Sequence, residues 1–138
     1  MTKLWIGFWL AVGLACPVWA ENSTNIASVV LVKTTLSWDG KTLPAYPQGQ
    51  PEITMVRVTI PPGAQLPLHQ HPVINAGLLM QGALTVVTED KKVLHLKAGD
   101  PIVEVVNTWH YGRNEGKLPA EIVVFYAGTP DVAITVKK

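Results

Sequence analysis

The amino-acid sequence predicts an all-β fold, either a sandwich or a barrel of short strands. Short runs rich in β-branched and aromatic residues recur along the chain, and turn-forming residues separate them, with 11 glycines and 11 prolines scattered over 138 residues. After the apolar N-terminus, no segment has the apolar spacing of a helix of three or more turns. The length suits one domain with a sizeable core rather than two domains.

The predicted strands follow one another at short intervals. The first, SVVLVKTT, is rich in β-branched residues, and the second, ITMVRVTI, ends at Pro61-Pro62-Gly63. The charged triplet Glu89-Asp90-Lys91 is typical of a hairpin tip between two alternating segments. In full, the predicted strands are 28–35, 53–60, 77–80, 83–88, 93–97, 101–106, 109–113, 121–127 and 132–136. A long connection, 36–51, is rich in proline and glycine and is of the length that often covers an opening.

The N-terminus has the pattern of a signal peptide, so we expect an exported protein, periplasmic or secreted. Residues 1–3 are short and positively charged, 4–15 are apolar, and 18–20 offer cleavage positions before Glu21. This divides the chain into a signal peptide at 1–20 and a single domain at 21–138, without stable membrane insertion of the mature part. An uncleaved anchor and a lipoprotein attached through Cys16 are the alternatives.

Charge and cysteine content exclude several classes of function. Lys plus Arg is 11 and Asp plus Glu is 10, a balance that argues against a nucleic-acid binder. Cys16 is the only cysteine and lies in the removable segment, so the mature chain has no disulfide and no thiolate site. A nucleophile elbow and a phosphate-binding loop are also missing from the sequence.

Two histidines draw attention to the stretch 63–82, GAQLPLHQHPVINAGLLMQG. His69 and His71 are separated by one residue, so on an extended strand both side chains point to the same face. Such a pair can share one metal ion, although an isolated pair of this kind is more often structural. The third candidate ligand is His110, in the stretch 99–114, GDPIVEVVNTWHYGRN.

These two stretches resemble the two signature motifs of the cupin family. Gly63, His69, His71 and Gly82 fit the first motif, and Gly99, His110 and Asn114 fit the second. The resemblance covers 53–127, the core of the domain, and implies a cupin-type jelly-roll β-barrel. It implies that His69, His71 and His110 are ligands to one divalent transition metal: Fe, Mn, Zn, Ni or Cu.

The chain departs from the family pattern at the glutamate of the first motif. Asn75 stands at that position, and the resemblance implies that it is a weak fourth ligand or a hydrogen-bond donor to a metal-bound water. In the second motif Val105 replaces a proline and Asn107 a glycine, changes that a turn tolerates. Without the glutamate, the site keeps the full positive charge of the metal and favours an anionic ligand.

The resemblance suggests several functions for a small-molecule site of this kind. The first is a dioxygenase-like oxidoreductase, and the alternatives are a non-catalytic binding module and a metal-dependent isomerase or lyase of a sugar acid. A further alternative is a cupin that has lost its metal and uses the barrel to bind a small molecule. Homodimerisation is expected, because small cupins commonly pair through their sheets and 132–136 would otherwise be an exposed edge.

Other residues are candidates for the pocket wall or the chemistry. The pocket candidates are Arg57, Trp109, Tyr111, Arg113 and Asn114, with a local turn role preferred for Asn114. Glu104 lies in an apolar run, and we interpret it as solvent-facing or ion-paired in preference to a general base, because burying a carboxylate is costly. His95 shares a face with Val93 and Lys97, and we expect it to face solvent.

Overall fold

The computed structural model describes residues 26–138. The signal peptide predicted at 1–20 lies outside these residues. Within the described part the chain forms nine strands and no helix, which confirms the all-β prediction. The strands are β1 (Glu52–Ile60), β2 (His69–Gln70), β3 (Ile74–Gln81), β4 (Ala83–Thr88), β5 (Val93–Lys97), β6 (Pro101–Val103), β7 (His110–Arg113), β8 (Ala120–Gly128) and β9 (Val136–Lys137). No helix in residues 26–138 is long and apolar enough to cross a membrane.

The strands form two sheets whose inner faces build one core. One sheet has the order β1-β8-β3-β6 and the other the order β5-β4-β7-β2-β9, with antiparallel pairing between neighbours. Buried aliphatic side chains from both sheets fill the space between them. They include Ile60, Leu79, Leu84, Val86, Ile122 and Val124. This double-sheet arrangement is that of a jelly roll.

Strand alternation decides which residues reach the interior. In β1, Val56 and Val58 point inward and pack against the core, whereas Arg57 between them is exposed. β1 pairs with β8 over its whole length, from Glu52 opposite Gly128 to Ile60 opposite Ala120. The inward side chains of two adjacent long strands therefore form one continuous aliphatic wall.

Gly82, the final glycine of the first motif, is required by the backbone. Its φ is +76°, in the region that favours glycine. A Cβ placed there would lie 2.6 Å from the carbonyl oxygen of Pro119, which is closer than atoms can approach. The motif glycine thus allows β3 to turn directly into β4 against the chain entering β8.

Three strand predictions need correction. The segment 28–35 has no regular secondary structure and belongs to no sheet of the described residues, and its side chains are exposed, with Val29 at 78% and Val30 at 75%. Its β-branched residues fit a half-buried sheet surface, but no neighbouring strand within the described chain offers one. The strand predicted at 101–106 ends at Val103, and the one predicted at 132–136 is only Val136–Lys137.

Candidate metal centre

Three histidines meet at one end of the space between the sheets. His69 in β2 lies opposite His110 in β7, and His71 forms a bridge with Val106 just after β2. The ring centroids are 4.5 Å apart for His69 and His110, and 5.0 Å apart for each of the other two pairs. One ring nitrogen from each histidine lies within 4.8 Å of the other two. The three imidazoles thus surround one small volume.

The Nδ1 atom of each histidine is held by a backbone carbonyl oxygen. His69 Nδ1 lies 2.7 Å from Pro67 O, His71 Nδ1 lies 2.8 Å from Ile134 O, and His110 Nδ1 lies 2.8 Å from Thr108 O. A carbonyl oxygen only accepts hydrogen bonds, so each Nδ1 carries the proton and donates. Each Nε2 therefore keeps its lone pair. This is the arrangement by which metal-binding histidines are oriented and their tautomer fixed.

Burial keeps the three rings neutral. Loss of hydration lowers the pKa of His69, His71 and His110, and the pKa of His71 falls to about 4. The carbonyl hydrogen bonds act in the opposite direction but do not outweigh burial. A metal ion binds the neutral imidazole, so the ligand form is already present near pH 7.

One further observation tests whether the residues suit a metal ion. His110 Nε2 is buried and has no hydrogen-bond partner among residues 26–138. A buried polar atom without a partner is costly, and a metal ion would supply one. Three imidazole nitrogens form a donor set suited to Fe, Mn, Zn, Ni or Cu. The residues therefore fit the group that the sequence motifs imply.

Glu104 is the site residue that the sequence interpretation missed. The residue is 7% exposed, and its Oε2 lies 3.4 Å from His110 Nε2. Burial raises the pKa of its carboxyl to about 7. The solvent-facing interpretation is therefore wrong. Alternation from the core residue Ile102 would have placed Glu104 on the inward face, a signal outweighed by the expected cost of burying a carboxylate.

The structure does not bring Asn75 into the histidine cavity. Asn75 is 1% exposed, and its Nδ2 donates a hydrogen bond to Val73 O at 3.3 Å. Its Oδ1 has no hydrogen-bond partner among the described residues. Asn75 lies opposite Tyr126 in the β3–β8 ladder, so its side chain points to the inward face, but it is not among the residues that line the cavity. No contact of Asn75 marks it as a fourth ligand.

The histidines open into a cavity of about 270 Å³. Its wall is largely aliphatic and comes from both sheets. The aliphatic lining includes Val56, Val58, Ile60, Leu66, Leu84, Val86, Ile122, Val124 and Ile134. The polar side chains in the lining, apart from the histidines, are Glu104, Tyr126, Thr135 and Lys137. The volume is that of a small-molecule site at the low end of the usual range.

The side chains proposed for the pocket wall lie outside this cavity. Along β7, His110 and Gly112 line the cavity, so Tyr111 and Arg113 point to the opposite face. Arg57 points outward from β1 for the same reason. Arg113 forms an ion pair with Glu115 at 3.2 Å instead. Strand alternation turns these three side chains away from the cavity, and none of them is among the residues that line it.

Trp109 and Asn114 also have roles outside the cavity. Trp109 lies under Lys138, whose Nζ is 5.6 Å from the ring centroid. The buried amide of Asn114 donates to Ile60 O at 2.9 Å and to Leu118 O at 2.8 Å, and its Oδ1 accepts from Gly116 N. Asn114 therefore has the structural turn role that the sequence analysis preferred. Neither Trp109 nor Asn114 lines the cavity. His95 is exposed, as predicted.

Comparison with known proteins agrees with the two motifs. Residues 56–126 match the model of the cupin domain family. The chain belongs to the cupin family. No curated protein sequence matches this cupin.

Solved structures of similar fold include several enzymes. The cupin is 28% identical to an oxalate oxidase in complex with the substrate analogue glycolate, with a TM-score of 0.50 over 59% of this chain and 45% of that one. It is 24% identical to the Lactobacillus farciminis oxalate decarboxylase in a formate complex, with a TM-score of 0.54 over 62% of this chain and 26% of that one. It is 23% identical to a DMSP lyase from Ruegeria pomeroyi DSS-3, with a TM-score of 0.55 over 62% of this chain and 43% of that one.

Two limits on this likeness matter for function. The chain spans less than half the length of each of these three proteins. The decarboxylase and the lyase share less than 25% identity with it, so they show the fold alone. The three also carry out different reactions on one fold, and the site rather than the fold must therefore indicate the chemistry.

Proposed function

We propose that this cupin is an exported, metal-dependent oxidoreductase, dioxygenase-like, that acts on a small organic molecule. One divalent transition metal is held by His69, His71 and His110. The observation that carries the proposal is the set of three Nδ1 hydrogen bonds to backbone carbonyls, which leaves three neutral Nε2 atoms free within one buried site.

The chain's own residues bind the metal and shape the substrate site. A bound transition metal supplies a Lewis-acidic and redox-active centre with open coordination positions. His69, His71 and His110 would hold that ion, and the cavity that they line would receive the substrate. The aliphatic wall keeps bulk water away from the centre, which strengthens electrostatic interactions inside.

The cavity lining indicates the class of substrate. Nine aliphatic side chains suit a small apolar body, and few polar side chains are present to bind the hydroxyls of a sugar acid. This weighs against the isomerase or lyase alternative. Lys137 in β9 lines the same cavity and offers a positive charge to an anionic head group. The likeness to an oxalate oxidase complexed with glycolate supports a small carboxylic acid as the first class to test.

The decisive experiment combines metal analysis with oxygen uptake. The full chain is purified from its native compartment and its metal content is measured. Iron or copper at one ion per chain, with O₂ uptake on glycolate, oxalate, a thiol or a flavonol, would support the proposal. Metal without O₂ uptake on any of these would overturn the oxidoreductase assignment and favour a binding module. The variants His71→Ala and His110→Ala should lose the metal, whereas His95→Ala, which changes an exposed histidine, should keep it.

Export is tested on the same material. If residues 1–20 are a cleaved signal peptide, N-terminal sequencing of the purified protein should begin at Glu21. A chain that begins at Met1 and fractionates with membranes would overturn cleavage and indicate an anchor.

We also propose that the cupin forms a homodimer through the outer face of the β1-β8-β3-β6 sheet. Met55 and Phe125 lie opposite each other on that face and are 67% and 40% exposed. β1 is an edge strand of its sheet in residues 26–138, and the segment 28–35 beside this sheet pairs with no strand among those residues. A second copy can cover the exposed apolar face and pair with both.

Light scattering after gel filtration tests the dimer. The wild-type chain should have twice the monomer mass, and Met55→Arg or Phe125→Arg should give monomers. Val93→Arg is the matched control, because Val93 is an exposed apolar residue on β5 of the other sheet. A wild-type monomer at all concentrations tested would overturn this proposal.

A further inference from the structure

We propose that Glu104 supplies the carboxylate of the metal centre, as a fourth ligand. It takes the part that the family pattern gives to a glutamate of the first motif, where this chain has Asn75. The inference rests on the proposed function, because it requires that His69, His71 and His110 bind a metal.

The first argument is the distance between donor atoms. Glu104 Oε2 lies 3.4 Å from His110 Nε2. Two donors that bind the same ion, each at about 2.0 to 2.2 Å, lie roughly 3 to 3.5 Å from each other in tetrahedral or octahedral geometry. The carboxylate and the imidazole of His110 are therefore spaced as two ligands of one ion. No Glu104 oxygen lies within 4.8 Å of all three histidine donors, so the proposal requires the Glu104 side chain to turn toward them when the ion binds.

The second argument is that both facing atoms are buried and lack a partner. Neither Glu104 Oε2 nor His110 Nε2 has a hydrogen bond within the described chain. Since His110 Nδ1 donates to Thr108 O, its Nε2 has no proton to offer to the carboxylate. A cation between the two atoms would satisfy both at once.

The third argument concerns charge. Burying an ionised carboxylate is costly unless a cation accompanies it. Lys137 is the one lysine or arginine among the described residues that line the cavity, and no ion pair joins it to Glu104. A divalent ion held by three neutral histidines has the charge that this carboxylate lacks.

The fourth argument comes from the position of Glu104 in the fold. Glu104 N donates to the carbonyl oxygen of Asn75 at 3.2 Å, so the two residues are backbone neighbours. The adjacent Val103 pairs with Ala76 in the β3–β6 ladder and accepts from Trp38 N at 2.9 Å, which fixes this stretch on both sides. The carboxylate of this chain thus stands in the segment that follows β6, next to the backbone position where the family pattern has its glutamate.

Metal affinity tests the proposal. The full chain is stripped of metal, and the binding of Mn²⁺ and Zn²⁺ is measured by competition with a chelator at neutral pH. Glu104→Gln should weaken binding by at least tenfold, since loss of even an outer-shell partner of a metal ligand typically costs about 10- to 100-fold. Glu121→Gln, a change on the outward face of β8, is the matched control and should leave the affinity unchanged. Equal affinity of Glu104→Gln and the wild type would overturn the proposal.

Thermal unfolding of the metal-free protein excludes a trivial loss of structure. Glu104→Gln removes a buried carboxylate without a partner, so its metal-free unfolding temperature should equal or exceed that of the wild type. Weaker metal binding with an unimpaired fold supports the role of Glu104. If the wild type itself binds no metal, the proposed function fails. If it binds metal and Glu104→Gln binds it equally well, only this inference fails.

Discussion

Glu104 Oε2 and His110 Nε2 face each other at 3.4 Å, and neither atom has a hydrogen-bond partner in the described chain. Burial raises the pKa of the carboxyl to about 7 and lowers that of the imidazole. Without metal, both groups thus favour their uncharged forms. Because the two groups change charge with pH, the stability of the metal-free protein should depend on pH.

The stability of the metal-free protein should respond to pH through Glu104. Its pKa rises from 4.5 to about 7 on folding, so its protonated form is stabilising below pH 4.5 and the contribution is lost as the pH rises through 7. This pKa difference between the folded and unfolded states corresponds to roughly 3 kcal/mol in the free energy of unfolding. Urea unfolding of the wild type and Glu104→Gln from pH 4 to 8 measures it. The variant should gain relative to the wild type as the pH rises, and a constant difference would contradict this.

The buried histidines change the stability of the metal-free protein in the opposite direction to Glu104, because they destabilise it as the pH falls. His71 has its pKa lowered from 6.5 to about 4, so its contribution to stability is present above pH 6.5 and is lost as the pH falls through 4. The comparison of Glu104→Gln with the wild type separates the two effects, because both proteins keep His71.

The metal-free protein should hold its three clustered histidines in one tautomer. Because each Nδ1 donates to a carbonyl oxygen, His69, His71 and His110 should be protonated at Nδ1 at pH 8. Long-range ¹H–¹⁵N NMR of the imidazole rings distinguishes the two tautomers. Protonation at Nε2 in any of the three would contradict the arrangement required for metal binding.

Asn75 should matter for the fold rather than for the metal. Asn75→Ala removes one hydrogen bond to a backbone carbonyl and should lower the free energy of unfolding by about 1 kcal/mol. The affinity for Zn²⁺ should stay within twofold of the wild type. Gln81→Ala is the control, because Gln81 in the same strand also donates one amide hydrogen bond to a carbonyl. A tenfold loss of Zn²⁺ affinity in Asn75→Ala but not in Gln81→Ala would contradict this prediction and indicate that Asn75 contributes to the metal centre.

Asn114 should be among the strongest structural residues outside the aliphatic core. Asn114→Ala removes hydrogen bonds to Ile60, Leu118 and Gly116 and leaves buried backbone groups without partners. We expect a loss of about 2 to 4 kcal/mol in urea unfolding. Zn²⁺ stoichiometry should not change in the folded fraction. Asn114→Asp keeps the acceptor but places a buried carboxylate oxygen against the carbonyl oxygens of Ile60 and Leu118, so it should be at least as unstable as Asn114→Ala. Full stability of Asn114→Ala would contradict this structural role.

Much of the fold follows from local patterns. The alternation and turn residues around β4, β5 and β8 specify strands that the structure shows at or close to their predicted limits. The β-branched segment 28–35 shows where such reasoning fails. Its residue types suit a sheet, but a strand needs a neighbour, and nothing in the local sequence states whether one is present.

The sequence alone determined the family and the three histidines, because the motif spacing is local and strand alternation puts His69 and His71 on one face. Only the tertiary structure decided the rest of the site. The pairing of β2 with β7 brings His110 to His69, and the attachment of Glu104 to Asn75 turns the carboxylate inward. The same packing turns Arg57, Tyr111 and Arg113 outward. Local alternation from Ile102 places Glu104 on the inward face, but its approach to the histidines depends on contacts between segments about 30 residues apart, which the local pattern does not specify.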